Sequence, residues 1–563
     1  MKPTANRNLF TTDCNTYFYR YGVAPDWQKS GPDGRFSAKS IHAYVDMVAG
    51  NGVDPFVYNP NASRAWWPSK HTPTAWDGYR RGDRSFFNAH VGADELTPEQ
   101  LEDTMDFHVT LLDRYLDLVE DGVDLLSETS AACRRNGISP WLSVRMNDMH
   151  GFKSFEGSFM NSPLLADARL RLTGRGVIPN HPPMQLRMGL DFTRREPRDY
   201  MFTMIRELVE DYDFEGMELD WTRHALCCEP LASQQTIDAM TQWHGEIAAL
   251  CRARADATGR PYYLGLHLPA NFAALRCIGL DAVAMVEAGF IDFLCPTRAG
   301  WSTTWDLEHD CMRDELGERV AIYGVVEDAP NWLASRSAGD EYRSIKRFSS
   351  TSAAMIRGNA AGKLVLGADG IESYNFFCSN FSDEKSGVTM LPDYTALNGL
   401  ADLDQLRGQR KFYAFNTGFE MGTLLTTLEV DEFLPLRMEP NMQRRFRLPM
   451  CAEPAEMKLT VQLVLERPED GGGLPPIGLS FNESWPTFDC WTTDALLEPA
   501  GALTHHVPEH TAINFTFPAS AIREGWNDLI IVHGGLADDL AHRRQLGVNL
   551  VGIELLVEPE RDR

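Results

Sequence analysis

Eight short apolar runs, each separated from the next by a segment of helix length, occupy the first ~400 residues and leave this chain few folds to choose from. They are Asn8–Asn15, Val53–Asn61, Ser139–Asp148, Phe214–Trp221, Tyr262–Pro269, Phe290–Arg298, Arg319–Asp328 and Gly370–Cys378. Between them lie helical patterns such as PRDYMFTMIRELVEDY and QQTIDAMTQWHGEIAALCRARADATG, the second ending on a glycine suited to a helix stop. Strand and helix in alternation predict a parallel sheet. Eight strands predict that it closes into a (β/α)8 TIM barrel. An open doubly wound sheet would carry a glycine-rich phosphate turn after an early strand, and neither G-x-G-x-x-G nor a Walker A sequence occurs.

Two connections are long: SRAWWPSKHTPTAWDGYRRGDRSFF after the second strand and MHGFKSFEGSFMNSPLL after the third. Insertions at the carboxyl ends of barrel strands shape clefts. After about residue 420 the pattern changes to short alternating runs such as MKLTVQLVLE, INFTFP and VNLVGIELLV, broken by turn clusters such as PEDGGGLPP. This predicts an antiparallel, jelly-roll-like β-sandwich. The expected division is 1–418 for the barrel and 419–563 for the sandwich, an accessory or carbohydrate-binding-like domain whose bracing role ranks first.

The 53 basic and 79 acidic residues give a net charge of −26, which repels phosphate backbones and anionic membranes. Nucleic acid and membrane are therefore poor partners, and a neutral sugar fits. The first residues contain no continuous apolar core of a signal peptide, and no stretch is apolar enough to span a bilayer. The eleven cysteines are scattered with no C-x-x-C pair, which reads as reduced thiols of a cytoplasmic protein.

GMELDWTRH is the sharpest chemical signal. Glu218 and Asp220 are two apart on a strand, so both point the same way. An acidic pair facing a barrel mouth suits general acid/base or nucleophilic work on a glycosidic bond. The alternative is a buried ion network with Arg145, Arg223 or Arg298. Glu327 and Asp328 end the seventh strand, where one carboxylate can flank a scissile bond from the other side. The alternative there is an exposed acidic turn. In SVRMNDMH, Arg145 and Asn147 supply planar donors for sugar hydroxyls, with Asp148 and His150 following. Asp13 and Asn15 close the first strand, His267 lies near the end of the fifth, and Glu372, Tyr374 and Asn375 lie along the eighth. Trp66, Trp67 and Trp76 in the second-strand loop, with Trp221 and Trp301, offer flat faces for pyranose rings. No H-E-x-x-H, paired histidine strand or EF-hand loop occurs, so no metal and no cofactor are expected. No G-x-S-x-G elbow points to an α/β-hydrolase.

FTTDCN, DMVAGNGVDPFVYNPN with AWWPSK, WLSVRMNDMH, GMELDWTRH and GIESYNFF together resemble a group of bacterial glycoside-hydrolase-like barrel proteins, family-ten-like, with a C-terminal β-sandwich. The resemblance spans nearly the whole chain and implies carbohydrate hydrolysis. The barrel is also similar to the large retaining glycosidase clan, whose acid/base lies on strand four and nucleophile on strand seven. By position, Asp220 or Glu218 would be the acid/base and Glu327 the nucleophile. That clan places Asn before the strand-four acid, whereas here Leu219 precedes Asp220 and Met217 precedes Glu218. The reversed assignment, Asp220 as nucleophile and another carboxylate as acid, therefore stays open.

The expectation is a glycoside hydrolase with Asp220, Glu218 and Glu327 as catalytic candidates. Asp13, Asn15, Trp66, Trp67, Arg145, Asn147, Asp148, His150, Trp221, Arg223, His267 and Glu372 are the substrate-binding candidates. Two rivals remain. A non-catalytic glycan-binding barrel would have its carboxylates tied up by arginines and nothing facing Asp220. A sugar-acid lyase or isomerase would need a metal or a Lys/His base at the mouth.

Overall fold

The computed structural model describes residues 2–13, 18, 35–92, 96–151, 154–173, 189–223, 226–297, 304–327, 351–376, 382–383, 388–389, 393–415, 434–466, 474–486, 490–497, 510–535 and 546–560. All eight expected barrel strands are present; seven are shorter than expected and lie inside their spans, and the first begins one residue before its own. They are β1 (Arg7–Thr12), β2 (Phe56–Tyr58), β3 (Pro140–Arg145), β4 (Gly216–Asp220), β5 (Tyr263–Pro269), β6 (Phe293–Thr297), β7 (Ala321–Glu327) and β8 (Gly370–Tyr374). They form a closed barrel in chain order, with β8 pairing β1 in parallel. Helices such as Ala38–Ala49, Arg195–Asp211 and Gln234–Thr258 return the chain between strands. The last of these is bounded by its own chemistry. The Ser233 side chain accepts from Thr236 N at the start, and Gly259 takes a left-handed φ of 66° at the stop.

Alternation along each strand fills the barrel in levels. The lower interior is a cluster that includes Leu9, Val57, Trp141, Tyr263, Phe293 and Tyr323. Two inward glycines make room for its rings. A Cβ at Gly216 would come within 2.8 Å of Trp141, and one at Gly265 within 2.3 Å of Phe293. The Arg7 guanidinium lies over the Trp141 ring at 5.2 Å and closes the floor. The next inward positions up the strands are polar: Thr11, Ser143, Glu218 and Glu372, then Arg145, Asp220, His267 and Tyr374. The barrel is thus apolar at its base and charged toward its carboxyl end.

Two two-residue strands, β9 (Ser382–Asp383) and β10 (Val388–Thr389), pair with each other after the barrel. The second layer holds β11 (Lys411–Ala414), β12 (Leu436–Met438), β13 (Gln443–Met450), β14 (Met457–Glu466), β15 (Ile477–Phe481), β16 (Cys490–Thr493), β17 (His510–Pro518), β18 (Gly525–His533) and β19 (Val548–Pro559). One antiparallel sheet runs β11-β19-β14-β17-β16, with β12 also on β19, and the other runs β13-β18-β15. Their inner faces share one apolar core, as in a sandwich. The sandwich starts ahead of the 418/419 boundary read from the sequence, because Lys411–Ala414 already pairs with β19. Four residues are too few to show an alternation of their own.

The helix Ala353–Val365, between β7 and β8, carries the sandwich. Its GNAAG stretch presents almost no side chain, so a sheet edge can approach. A Cβ at Gly358 would lie 2.1 Å from the Phe412 carbonyl oxygen, and one at Gly362 would lie 2.8 Å from that of Pro449. Around this contact Lys411 and Glu453 form a fully buried pair at 2.6 Å, and Trp526 Nε1 donates to Asp310 Oδ2 at 2.8 Å. Among the described residues, no helix is long and apolar enough to cross a membrane.

Candidate active site

Asp220 is the last residue of β4, and its carboxylate is met from several sides. The Thr222 backbone N–H and hydroxyl donate to Oδ1 at 2.8 and 2.6 Å. The Tyr374 hydroxyl donates to Oδ2 at 2.6 Å from β8, the strand diametrically opposite in an eight-stranded ring. His267 Nδ1 stands 3.9 Å from Oδ1, and its ring meets Tyr374 edge-on with centroids 4.1 Å apart. Burial pushes the Asp220 pKa up, but His267, the Thr222 and Tyr374 hydrogen bonds and Arg145 outweigh it and hold the carboxyl below the ordinary value. Tyr374 moves the other way: burial and the adjacent Asp220 charge raise its pKa well above that of a free phenol. It stays protonated and remains a donor.

Glu218 sits one level deeper, near Cys295 and Glu372 rather than at the mouth. Burial first, then the Glu372 charge, raises its pKa well above the ordinary carboxylate range. The two acids of GMELDW, read from the sequence as an equivalent pair, therefore have opposite proton affinities two residues apart. Ion pairing of Glu218 or Asp220 by Arg145 or Arg223, the alternative considered from sequence, is not what forms. Arg145 instead donates to Asp13 Oδ2 at 2.7 Å and Asp148 Oδ2 at 3.3 Å, and Arg223 approaches Asp13 at 3.7 Å. Asp13 is buried, which raises its pKa, but Arg145 and Arg223 overcome this and lower it. His150 Nδ1 is 2.7 Å from Asp148 Oδ1. Asp13, Arg145, Asp148, His150 and Arg223 thus form one charged band beside Asp220.

Glu327 ends β7 and is buried, paired in register with Tyr374. Inward alternation continues through Tyr323 and Val325 of the pore cluster, which turns Glu327 toward the mouth beside the Asp220–Tyr374 bridge. Glu372, on β8, accepts a hydrogen bond from the Thr11 hydroxyl in the deeper level. Asn15, Arg298, Trp301 and Asp328 lie outside the described residues.

Several expected sugar contacts are core residues. Trp66 and Trp67 are fully buried, and Trp66 packs on Tyr115 with centroids 4.9 Å apart. Trp76 stacks on the same Tyr115 ring at 5.4 Å. Trp221 is buried against Phe192 and donates from Nε1 to His244 Nε2 at 3.2 Å. The second-strand loop packs onto the helix Pro98–Glu120 by burying its largest rings. Asn147 is a loop tie: Nδ2 donates to the Leu226 and Leu190 carbonyls at 2.7 and 3.2 Å, and Oδ1 accepts from Leu190 N at 3.0 Å. Thr222, Ser143 and Cys295 were missed as site residues. The strand alternation that singled out Glu218 also points Ser143 and Cys295 inward, but their side chains are ordinary in a core and carry no signal alone.

Fold and site together define a class: a (β/α)8 barrel with a carboxylate-bearing mouth, followed by a β-sandwich. No family model matches this chain, and no curated protein does. Among solved structures it is similar to a putative α-L-fucosidase from Bacteroides thetaiotaomicron, at 10% identity over 98% of this chain and 95% of that one, with a TM-score of 0.32. An α-amylase from Geobacillus thermoleovorans gives 11% identity over 94% and 99%, with a TM-score of 0.35. A cycloisomaltooligosaccharide glucanotransferase from Paenibacillus gives 7% identity and 0.31, and this chain spans 57% of its length. Likeness this faint carries no weight for activity.

Proposed function

We propose that this chain is a glycoside hydrolase that cleaves a neutral oligo- or polysaccharide at the mouth of its barrel, with Asp220 as the carboxylate that works ionised and Glu327 as its proton-donating partner. The observation that carries the reading is the setting of Asp220. It is a buried acid at the carboxyl end of a barrel strand, it has no arginine bonded to it, and three hydrogen bonds favour its charged form. A carboxylate kept ionised in a site shielded from water can attack an anomeric carbon or deprotonate a water beside it. Glycosidic cleavage also needs an acid for the leaving oxygen, and this reading gives that role to Glu327, the register neighbour of Tyr374 at the end of β7.

The charged band suits sugar hydroxyls. Arg145 and Arg223 keep Asp13 ionised, and Asp148 orients His150, so donors and acceptors alternate within a short arc. Because both arginines already face carboxylates, the band favours neutral over polyanionic sugars, in line with the net charge of −26. A purely glycan-binding barrel would have arginine-tied carboxylates and nothing facing Asp220. Asp13 and Asp148 fit that description, but Asp220, faced by Tyr374 and His267, does not.

The test is hydrolysis of a broad panel of aryl glycosides and natural oligosaccharides by wild type, Asp220→Asn and Glu327→Gln. The reading expects one substrate class to be cleaved, with Asp220→Asn losing on the order of 10⁴-fold or more in kcat while keeping its fold. Undiminished cleavage by Asp220→Asn, or sugar binding by all three proteins with no cleavage of the sugar bound, would overturn it.

A further inference from the structure

Below the mouth, the barrel holds a group of polar atoms whose hydrogen bonding is poorly satisfied. Both carboxylate oxygens of Glu218, Oε2 of Glu372, the Ser143 hydroxyl and both ring nitrogens of His267 are buried without a well-formed hydrogen bond, Ser143 and Cys295 being the nearest polar neighbours of Glu218. These residues are at most 1% exposed. Burying one such group without a partner costs free energy, and several together in one chamber call for an occupant. The chamber has a definite geometry. Ligand atoms of Glu218, Cys295 and Glu372 lie within 4.8 Å of one another. They come from β4, β6 and β8, and side chains from alternate strands share one level of a barrel.

His267 is an independent sign. Neither ring nitrogen makes a well-formed hydrogen bond, and Nδ1 stands between two carboxylates, 3.9 Å from Asp220 Oδ1 and 4.0 Å from Glu218 Oε1. That gap is too long for a hydrogen bond and leaves room for an atom between. The Thr11 hydroxyl already holds Glu372 through Oε1, leaving its other oxygen turned inward and unbonded. Such outer contacts are what fix a ligating carboxylate.

We propose that Glu218, Cys295 and Glu372 bind one zinc-class divalent cation enclosed in the barrel beneath Asp220, with His267, which stands outside that close cluster of three, moving in as the fourth donor when the ion binds. A thiolate, an imidazole and two carboxylates match the borderline-soft preference of zinc, whereas magnesium and calcium take oxygen alone. Four protein donors with no open position make a closed, stabilising site, not a catalytic one. The cation satisfies the orphaned oxygens and ties four strands together across the pore. Asp220 is not a ligand, so the proposal does not require the glycosidase reading, although His267 borders both Asp220 and the cation. No local motif announces it, because each donor comes from a different strand.

The full chain, purified without added metal, is measured for bound metals by elemental mass spectrometry, then stripped with a chelator and titrated with Co²⁺. The expected result is about one zinc per chain, a lower thermal midpoint after stripping, and a thiolate-to-cobalt charge-transfer band on titration. Cys295→Ser loses that band, whereas Cys311→Ser, which removes an exposed thiol, keeps it. Asp220→Asn keeps the metal, which separates this site from the catalytic proposal. If Cys295→Ser does not fold, the wild-type titration decides alone. No zinc as purified together with no cobalt uptake, or cobalt bound without a thiolate band, overturns the proposal.

Discussion

Asp220 sits where two demands conflict: burial favours the neutral acid, while the hydrogen bonds around it favour the carboxylate. The second demand wins because the donors are fixed. Thr222 follows two residues later in a turn that folds back on Oδ1, and Tyr374 reaches from the opposite strand, where Asp220 and the barrel floor hold it in place. Hydrogen bonds to charged groups contribute roughly 1.5–3 kcal/mol. Tyr374→Phe is therefore expected to lower kcat by about 10–100-fold, with KM little changed. Steady-state kinetics on any cleaved substrate checks this, and a variant as active as wild type would show that the phenol only fills space.

At the scale of elements, the helix Ala353–Val365 shows how sequence sets the approach of two domains. Gly358 has no room for a methyl beside the Phe412 carbonyl. Gly358→Ala is expected to cost about 1–3 kcal/mol of stability, read as a lower thermal midpoint. An unchanged midpoint would mean that the helix and β11 separate freely.

The strands themselves were legible in the sequence because each is a short apolar run between helical patterns; seven of the eight lie within their expected spans, and β1 begins one residue earlier, at Arg7. Glu218 and Asp220 were legible as inward residues for the same reason, since period-two alternation needs no tertiary knowledge. The difference between them was not legible. It depends on Glu372 and Tyr374, more than 150 residues away in the chain, which pair with Glu218 and Asp220 only once β8 has closed the barrel. The tryptophans misled because an indole in a loop looks the same in sequence whether it faces a cleft or a helix. Trp66 was settled by Tyr115, on the helix Pro98–Glu120 that follows its loop.

For the whole molecule, acid sensitivity follows from histidines buried where they stay neutral. Burial lowers His108 and His244 to about 4 and His309 to about 3, the last helped by Lys363 nearby. In the unfolded chain each protonates near its ordinary value of 6.5. Between pH 6.5 and about 4 the unfolded chain thus binds more protons than the fold. Stability from these groups is present above pH 6.5 and is lost as pH falls toward 4. The urea midpoint is expected to drop more from pH 7 to pH 5 in wild type than in His108→Phe, whose ring keeps the stacking on Phe87. Equal drops in both proteins would remove His108 from the account.

The division of labour at the mouth is tested most directly by the leaving group. The rates of wild type, Asp220→Asn and Glu327→Gln are compared on two glycosides of the sugar that is cleaved, one with a dinitrophenolate leaving group and one with a second sugar. A good leaving group departs without an acid, so Glu327→Gln is predicted to lose activity on the disaccharide and little on the aryl glycoside. Asp220→Asn is predicted to lose it on both. Equal losses by Glu327→Gln on the two substrates, or near-normal rates for Asp220→Asn on either, would contradict the assignment of these two carboxylates.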